Sequence, residues 1–592
     1  MSGIGLVLNV AKDALLTQQY AVDVVSHNIA NVSTEGFTRQ TPVISANDAA
    51  PYGGFIFGRG ASLEEIIRVG NDFIEKRVQQ SQTDLSTLTE KEIYMSVMEA
   101  IFNENSSQSL SNQFVGFWNS WNDLANNPSG LSERNLLLES GTLLSQSFKS
   151  LNGDLTTLIQ EIDNSIEAGV EDINQILTQI ADLNDRILTL QIKGNANDLI
   201  DERNMLVRQL SEYIDINTYE QENGNLTVAT GRGYILVSRN STYPLAYESN
   251  EVVWQSSSST TVTISDTVSG GKMGGWLEMR DEVIPKYRAD LNELAESTIW
   301  EVNALHTQGV GLQGLTTVTG SYATTDSTQV IGTVASGFDF YNKVQDGSFD
   351  IWLYDTAGAV VGSTTINIVA NTTTLDALAT SIDGVSIGGE DALTASVTAN
   401  GNLSITIDTG SGYSGYTFAF AGDTSNTLGA LGINTFFTGS DANDMAVNSV
   451  LSADEDLIAA AQVDSTTGAF ATGDNSNALD IANLQYQGVT VRRWTYERGS
   501  AATSQDITNT SLEEYLHAMV GSVGIESRST QREREYNEVI YNKLNETRDN
   551  ISAVSLDEEM TNLIKYQHAY TAAAKLISVA DEMLTTVLQA KT

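Results

Sequence analysis

Hydrophobic positions in the first thirty residues recur in alternating steps of four and three: Ile4, Leu8, Ala11, Leu15, Gln18, Val22, Val25 and Ile29, with one polar member. That spacing keeps one stripe on one helix face and predicts a seam against a partner helix. At 1.5 Å per residue the helix would be roughly 40 Å long. The pattern stops at Asn31-Val32-Ser33-Thr34-Glu35-Gly36-Phe37, where Gly36 can adopt a left-handed turn. A second stripe occupies the last forty residues. Leu556, Leu563, Tyr570, Ile577 and Leu584 fall at steps of seven, and Met560, Gln567, Ala574, Asp581 and Leu588 lie four residues after each. The first row is apolar and the second mixed, so polar positions soften this seam. Upstream, 511–550 is highly charged, and Arg532-Glu533-Arg534-Glu535 suits a solvated helix face. A terminal stripe with no globular core of its own needs a partner. The economical partner is the other terminus, and then the same pair in neighbouring molecules.

Between the ends, 70–215 is dominated by helical period, as in Ile173, Ile176, Leu177, Ile180, Leu183 and Ile187, with breaks at Pro128 and at Lys193-Gly194-Asn195. Alternation takes over across 216–264, where Asn223-Gly224 predicts a hairpin turn. A helix is expected again over 275–308, with Pro285 starting its main part or kinking it. From 311 to 480 the chain is rich in Thr, Ser, Gly, Ala and Asp. Phe349-Asp350-Ile351-Trp352-Leu353-Tyr354 reads as a strand, and 397–407 reads as a hairpin turning at Asn400-Gly401. The expectation is a multidomain protein. All-α terminal helices (1–60 with 545–592) form a coiled-coil-like bundle. A long-helix domain with β-hairpins covers 61–310 with 481–544, and a mostly β outer domain, in one lobe or two, is inserted at 311–480.

Composition narrows the chemistry. A chain of 592 residues exceeds a single core, and 41% hydrophobic content excludes wholesale disorder. Lys and Arg number 31 against 75 Asp and Glu, a net charge of −44 that argues against nucleic-acid binding. The absence of cysteine excludes disulfides, thiolate metal sites and thiol nucleophiles. No apolar run is long enough to span a membrane. Lys12, Asp13 and Asp23 interrupt the first apolar stretch, so no cleaved secretory signal and no membrane insertion are expected. His27, His306, His517 and His568 are isolated, with no His-Glu-x-x-His pattern and no phosphate-binding glycine loop. Gly231-Arg232-Gly233 lacks the third glycine of a dinucleotide turn, and Asp454-Glu455-Asp456 lacks the alternating ligands of a calcium loop. No catalytic residue, cofactor or metal is expected, and His27 is assigned a structural hydrogen bond.

Two segments carry a resemblance. Ser26-His27-Asn28-Ile29-Ala30-Asn31-Val32-Ser33-Thr34-Glu35-Gly36-Phe37 resembles the N-terminal signature of the bacterial flagellar axial family, the rod, hook and hook-associated proteins. Glu558-Glu559-Met560 through Tyr566-Gln567, Tyr570 and Ala572-Ala573-Ala574 resembles the C-terminal signature of the same family. Interior stretches are similar to its hook-associated members. They include Phe117-Trp118 to Asn127-Pro128, 170–187, Asp198 to Ser211, Gly274-Gly275-Trp276 to His306, and 431–439. The poorest match is 315–425.

The resemblance implies a non-enzymatic structural subunit of the bacterial flagellum at the junction of hook and filament. Terminal helices from many copies would bundle into a tube and order as they assemble. The implied interface is Ile4, Leu8, Leu15, Val22 and Ile29 with Leu556, Leu563, Tyr570, Ile577 and Leu584, while Asn31, Gly36 and Phe37 set the turn leading out. Implied partners are further copies of the chain, hook subunits, a second junction protein and the filament. An export chaperone and the flagellar type III export apparatus precede them, and the final location is extracellular. A hook or distal-rod subunit, or an adhesive role for the outer β domain, are the alternatives.

Charge distribution yields a prediction. The 311–480 segment holds nineteen acids and one base, Lys343, so much of the self-repulsion sits away from the terminal stripes. Salt screens such repulsion beyond about 8 Å at physiological strength. Polymer formation should therefore weaken as ionic strength falls, measured by light scattering across a salt titration; a flat titration contradicts this.

Overall fold

The computed structural model describes residues 2–52, 55–103, 109–191, 196–221, 224–257, 260–387, 390–498 and 504–590. It divides into two compact units. One comprises Met1–Ile93, Glu161–Met279 and Arg528–Thr592, the other Tyr94–Gln160 and Arg280–Ser527. The boundaries expected from composition do not coincide with this division, which falls inside the helices Asp72–Ile101, Leu131–Gln191 and Leu512–Ser552. Composition follows what faces solvent, whereas compactness follows which face of a long helix packs on which neighbour.

In the first unit the helix Ser2–Ala30 packs on the helix Leu556–Gln589. The stretch expected to be purely helical also contains a β-ribbon, Gln40–Ala46 antiparallel to Ala61–Arg68, with a bulge between Val43 and Ile44. The predicted alternation over 216–264 is present as two sheets, one four-stranded and one three-stranded. Ile216–Glu220 pairs with Leu226–Thr230. Gly224 in their turn has φ +76°, while Asn223 lies outside the described residues, as does the break expected at Lys193-Gly194-Asn195. Arg203, fully buried, secures this hairpin. It donates to Asn184 Oδ1 (3.0 Å), Gly224 O (2.6 Å) and Glu220 Oε1 (2.7 Å), and burial lowers its pKa despite that carboxylate.

The second unit is centred on aromatic rings. Phe114, Phe117, Trp118 and Trp121 of the helix Leu110–Asn126 are all fully buried. Phe117 lies 5.8 Å from Phe436 and 5.4 Å from Phe437, and Trp121 lies 5.4 Å from Phe436. The expected strands form two separate three-stranded sheets. Gly347–Tyr354 lies between Val360–Ile368 and Thr417–Ala421, and Leu403–Ile407 lies between Thr317–Thr319 and Leu393–Val397. The helix expected over 275–308 spans the division between the units as Gly271–Glu278, a π turn at Met279–Val283, and Ile284–His306. Pro285 directly follows the π turn, where its missing N–H leaves one carbonyl of the preceding turn without its helical partner.

One device recurs. Asn28, Asn174, Asn184 and Asn303, all on helices, each hold both backbone polar groups of one residue in an adjoining strand or loop. Asn28 accepts from Gln40 N (3.0 Å) and donates to Gln40 O (2.8 Å). Asn174 does the same to Leu245 (2.9 and 2.8 Å), and Asn184 to Leu226 (3.2 and 2.9 Å). Asn303 accepts from Phe437 N (2.9 Å) and donates to Phe437 O (2.9 Å), and it also accepts from Phe436 N (3.0 Å). The carboxamide carries the same donor and acceptor as a peptide group, so it stands in for a missing neighbouring strand.

Two buried basic side chains, one arginine and one neutral histidine, have structural roles in this unit. Arg134 donates to Pro128 O (2.8 Å) and to the carbonyls of Glu455 (3.0 Å) and Ile458 (2.8 Å). The Asp454-Glu455-Asp456 run thus wraps a guanidinium, and among the described residues no group of three or more His, Asp and Glu side chains could hold a metal ion. His306 is fully buried. Its Nε2 accepts from Ala459 N (3.0 Å), which leaves Nδ1–H to donate to Asn434 O (2.8 Å). Burial holds this ring neutral and lowers its pKa to about 4.

Two predictions concern this unit. Asn303→Ala strands the N–H and C=O of buried Phe437 and should destabilise by about 2–5 kcal/mol, read from the urea midpoint. Between pH of about 6.5 and 4 the unfolded chain protonates its histidine while folded His306 stays neutral, so this group's contribution is lost as pH falls. The loss approaches about 3 kcal/mol at the acid end. Asp290, Glu293, Glu296 and Asp423 have pKa values raised by burial and act in the opposite sense. The expected signature is therefore a steeper acid-side loss of stability in the parent chain than in His306→Gln.

Candidate assembly interface

The first helix ends where Asn31 folds back, donating through Nδ2 to His27 O (3.0 Å) while its Oδ1 accepts from Thr34 Oγ1 (3.1 Å). Phe37 N then bonds Thr34 O (3.2 Å), and Gly36 adopts φ +77°. A Cβ on Gly36 would meet Met205 at an ordinary 3.7 Å, so the left-handed backbone rather than crowding selects glycine there. Phe37 packs edge-on against His27 (5.5 Å), and His27 Nε2 lies 3.2 Å from Asp198 Oδ1, in the structural role expected of it. Past the turn, Asp201 accepts from Thr38 N (2.9 Å) and Arg68 Nε (2.8 Å). Burial raises its pKa in spite of Arg68. These bonds anchor the turn to the helix Asn197–Tyr213.

The pair of terminal helices meets along small and polar residues. Buried positions on the first are Ala11, Thr17, Ala21, Val24, Val25 and Asn28, and on the last Glu559, Ala573 and Ala580. Part of the first helix's buried side lies against the ribbon, since Thr17 Oγ1 donates to Ala61 O (3.0 Å). Asn28 Nδ2 donates to Glu559 Oε2 (3.0 Å), both side chains being buried. Beside them Arg39 pairs with Glu558, and Arg39 N donates to Ser552 O (2.9 Å).

Of the expected seam, Ala11 and Val25 are buried within a single chain, and the other positions are less covered. Leu8, Leu556 and Tyr570 are exposed. Ile4, Leu15, Val22, Ile29, Leu563, Ile577 and Leu584 are half-buried, as are Asn31, Gly36 and Phe37. The difference is one of rotation: the most buried positions on both helices are mainly small or polar, and bulky side chains stand on the flanks. Val7, Leu16 and Tyr20 on one helix, and Leu576, Val579, Met583 and Leu588 on the other, are 37–56% exposed. Asn28 and Glu559 were missed as contact residues, although each stands in the resemblance segments; their signal was a polar residue in line, at steps of seven, with the alanines.

A cavity of about 600 Å³ opens beside the turn, lined among others by Asn31, Gly36, Phe37, Arg68, Arg208 and Ser552. Its guanidiniums are paired, Arg68 with Asp201 (2.5 Å) and Arg208 with Glu75 (3.0 Å), so it presents no free cation for an anionic ligand from these two. Glu559→Ala should lower the thermal midpoint and weaken docking of the last helix, because it leaves the buried Asn28 amide one acceptor short, at about 1–3 kcal/mol.

Family models match three segments: the flagellar hook-associated protein FlgK helical domain at 95–320, the flagella basal body rod protein at 8–38, and the FlgEFG rod protein C-terminal region at 548–590. Similar proteins named flagellar hook-associated protein 1 occur in Bacillus subtilis and Salmonella typhimurium. The former is 23% identical over 98% of this chain and 97% of its own, the latter 26% over 98% and 99%. The solved structure of the flagellar hook junction protein FlgK from Burkholderia pseudomallei has a similar fold, with a TM-score of 0.51 at 16% identity, covering 81% of this chain and all of that one. These relatives are structural proteins, not enzymes, and both terminal segments and the helical interior match in order. Over nearly its whole length the chain is thus similar to flagellar hook-associated protein 1, and its interior matches the model of that protein's helical domain.

Proposed function

We propose that the chain is the junction subunit linking hook to filament, and that it polymerises through the outward faces of its terminal helices. The observation that carries this reading is the inverted distribution of side-chain size. Alanines are among the most buried residues of both helices, while Leu, Met, Val and Tyr side chains stand exposed on them. A soluble monomer rarely leaves so extended an apolar surface uncovered. Every copy presents the same faces, so the simplest cover is the equivalent pair in a neighbouring copy, through a head-to-tail contact that closes into a ring or continues as a helix. Leu8, Leu556 and Tyr570, exposed in one chain, would be covered in that assembly. Hook subunits would lie on one side and a second junction protein and filament on the other. Export would precede assembly, with a chaperone covering the last helix until the type III apparatus receives it.

A hook or distal-rod subunit is the second reading, favoured by the rod-protein models that match both ends. Labelling intact flagella separates the two, since a hook subunit coats the whole hook and a junction subunit only its end.

Val579→Asp with Met583→Asp places carboxylates on the outward face without touching the alanine row. The variant should keep the helix content and thermal midpoint of the parent yet fail to enter flagella, because unpaired carboxylates would be buried between copies. Removing 553–592 should likewise abolish incorporation while the second unit stays folded. Flagella built at parental frequency from either chain would overturn the assignment.

A further inference from the structure

We infer that Asn28 and Glu559 set the register of the terminal helix pair, a task its apolar positions cannot perform. Asn28 stands two residues before the end of the first helix and Glu559 in the first turn of the last, and they share a 3.0 Å hydrogen bond. Helices joined at those ends and packed on each other run antiparallel. Stepping away from the bonded pair by sevens sets Ala21 opposite Tyr566 and half-buried Ala14 opposite Ala573.

That row is nearly degenerate. Sliding one helix by a heptad sets Ala21 against Ala573 and Ala14 against Ala580, contacts as small and as apolar as those they replace. Shape does not choose between these registers. The polar pair does. In the slid register Asn28 faces Tyr566, and Glu559 passes beyond Ala30, where the first helix ends. Sliding the other way presses Glu559 against Ala21. Either slide separates a buried carboxylate from its donor and a buried amide from its acceptor, and each loss is costly where water does not reach. Asn28 is also held by Gln40 through two bonds, so its carboxamide is oriented by contacts other than those of the last helix. A buried asparagine can select one alignment of a coiled coil in the same way, at some expense in stability.

This inference concerns the single chain and does not rest on the polymerisation proposed above. The chain has no cysteine, so two introduced cysteines label it cleanly. Spin labels at Gln19→Cys and Thr571→Cys, both exposed sites, report the offset of the two helices by pulsed dipolar spectroscopy on the full chain. The parent and Glu559→Gln, whose amide oxygen still accepts from Asn28, should each give one narrow distance. Asn28→Leu with Glu559→Leu should add a second population, its axial offset changed by about 10 Å for a seven-residue slide, with helix content unchanged. If that double variant loses helix content, Glu559→Ala with Asn28 intact must show the second population instead. A single distance in these variants would mean that the Arg39 contacts suffice and would overturn the inference. A broad distribution in the parent would overturn it as well.

Discussion

A carboxamide on a helix can bind the N–H and the C=O of one extended residue at once, and the helices of this chain meet their neighbouring strands and loops through that contact. Asn174 and Asn184 use it to hold Leu245 and Leu226 against the long helix Leu131–Gln191. Asn303 uses it to present Phe436 and Phe437 to the aromatic rings of the second unit. Asn28 uses it to lay the start of the ribbon along the first helix. A long helix offers side chains but no free backbone groups along its middle, so a strand beside it would otherwise bury unpaired peptide groups. The clamp removes that penalty at one residue per contact, and hydrophobic packing does the rest.

At the chain ends the same asparagine bonds the last helix as well, and what surrounds it explains the inverted helix pair. Small residues bring two backbones close but cover little area, so this contact is geometrically exacting and hydrophobically modest. The area that would have stabilised an isolated pair is instead displayed. A pair built this way leaves its bulky apolar side chains uncovered, as the proposed polymerisation requires.

Much of this architecture was legible in the sequence. Period alone located the terminal helices, the helical stretch before 215 and the alternation after it. Gly36 and Pro285 marked a turn and a helix irregularity for reasons of backbone geometry that do not depend on tertiary context. What period could not give was rotation. A four-three alternation fits several neighbouring stripes on one helix, and hydrophobicity favoured the row of Leu8, Leu15 and Val22, whereas burial is deepest at Ala11, Thr17, Ala21, Val24, Val25 and Asn28. The ribbon formed by 40–46 and 61–68 was missed because its strands are short and half-exposed. The domain boundaries were hidden for another reason, since continuous helices carry residues into both units and leave no linker to find.

The bond between Asn28 and Glu559 joins residues 531 positions apart. In polymer terms the rest of the molecule is one enormous loop, closed at its neck by that contact, with both chain ends trailing from the far side of the neck. The entropy of closing a flexible loop grows only logarithmically, so doubling such an insertion costs about 0.6 kcal/mol. The sequence between the two bonded residues, the acidic sheets around 311–480 included, can therefore be lengthened, replaced or recharged while the terminal helix pair keeps its geometry.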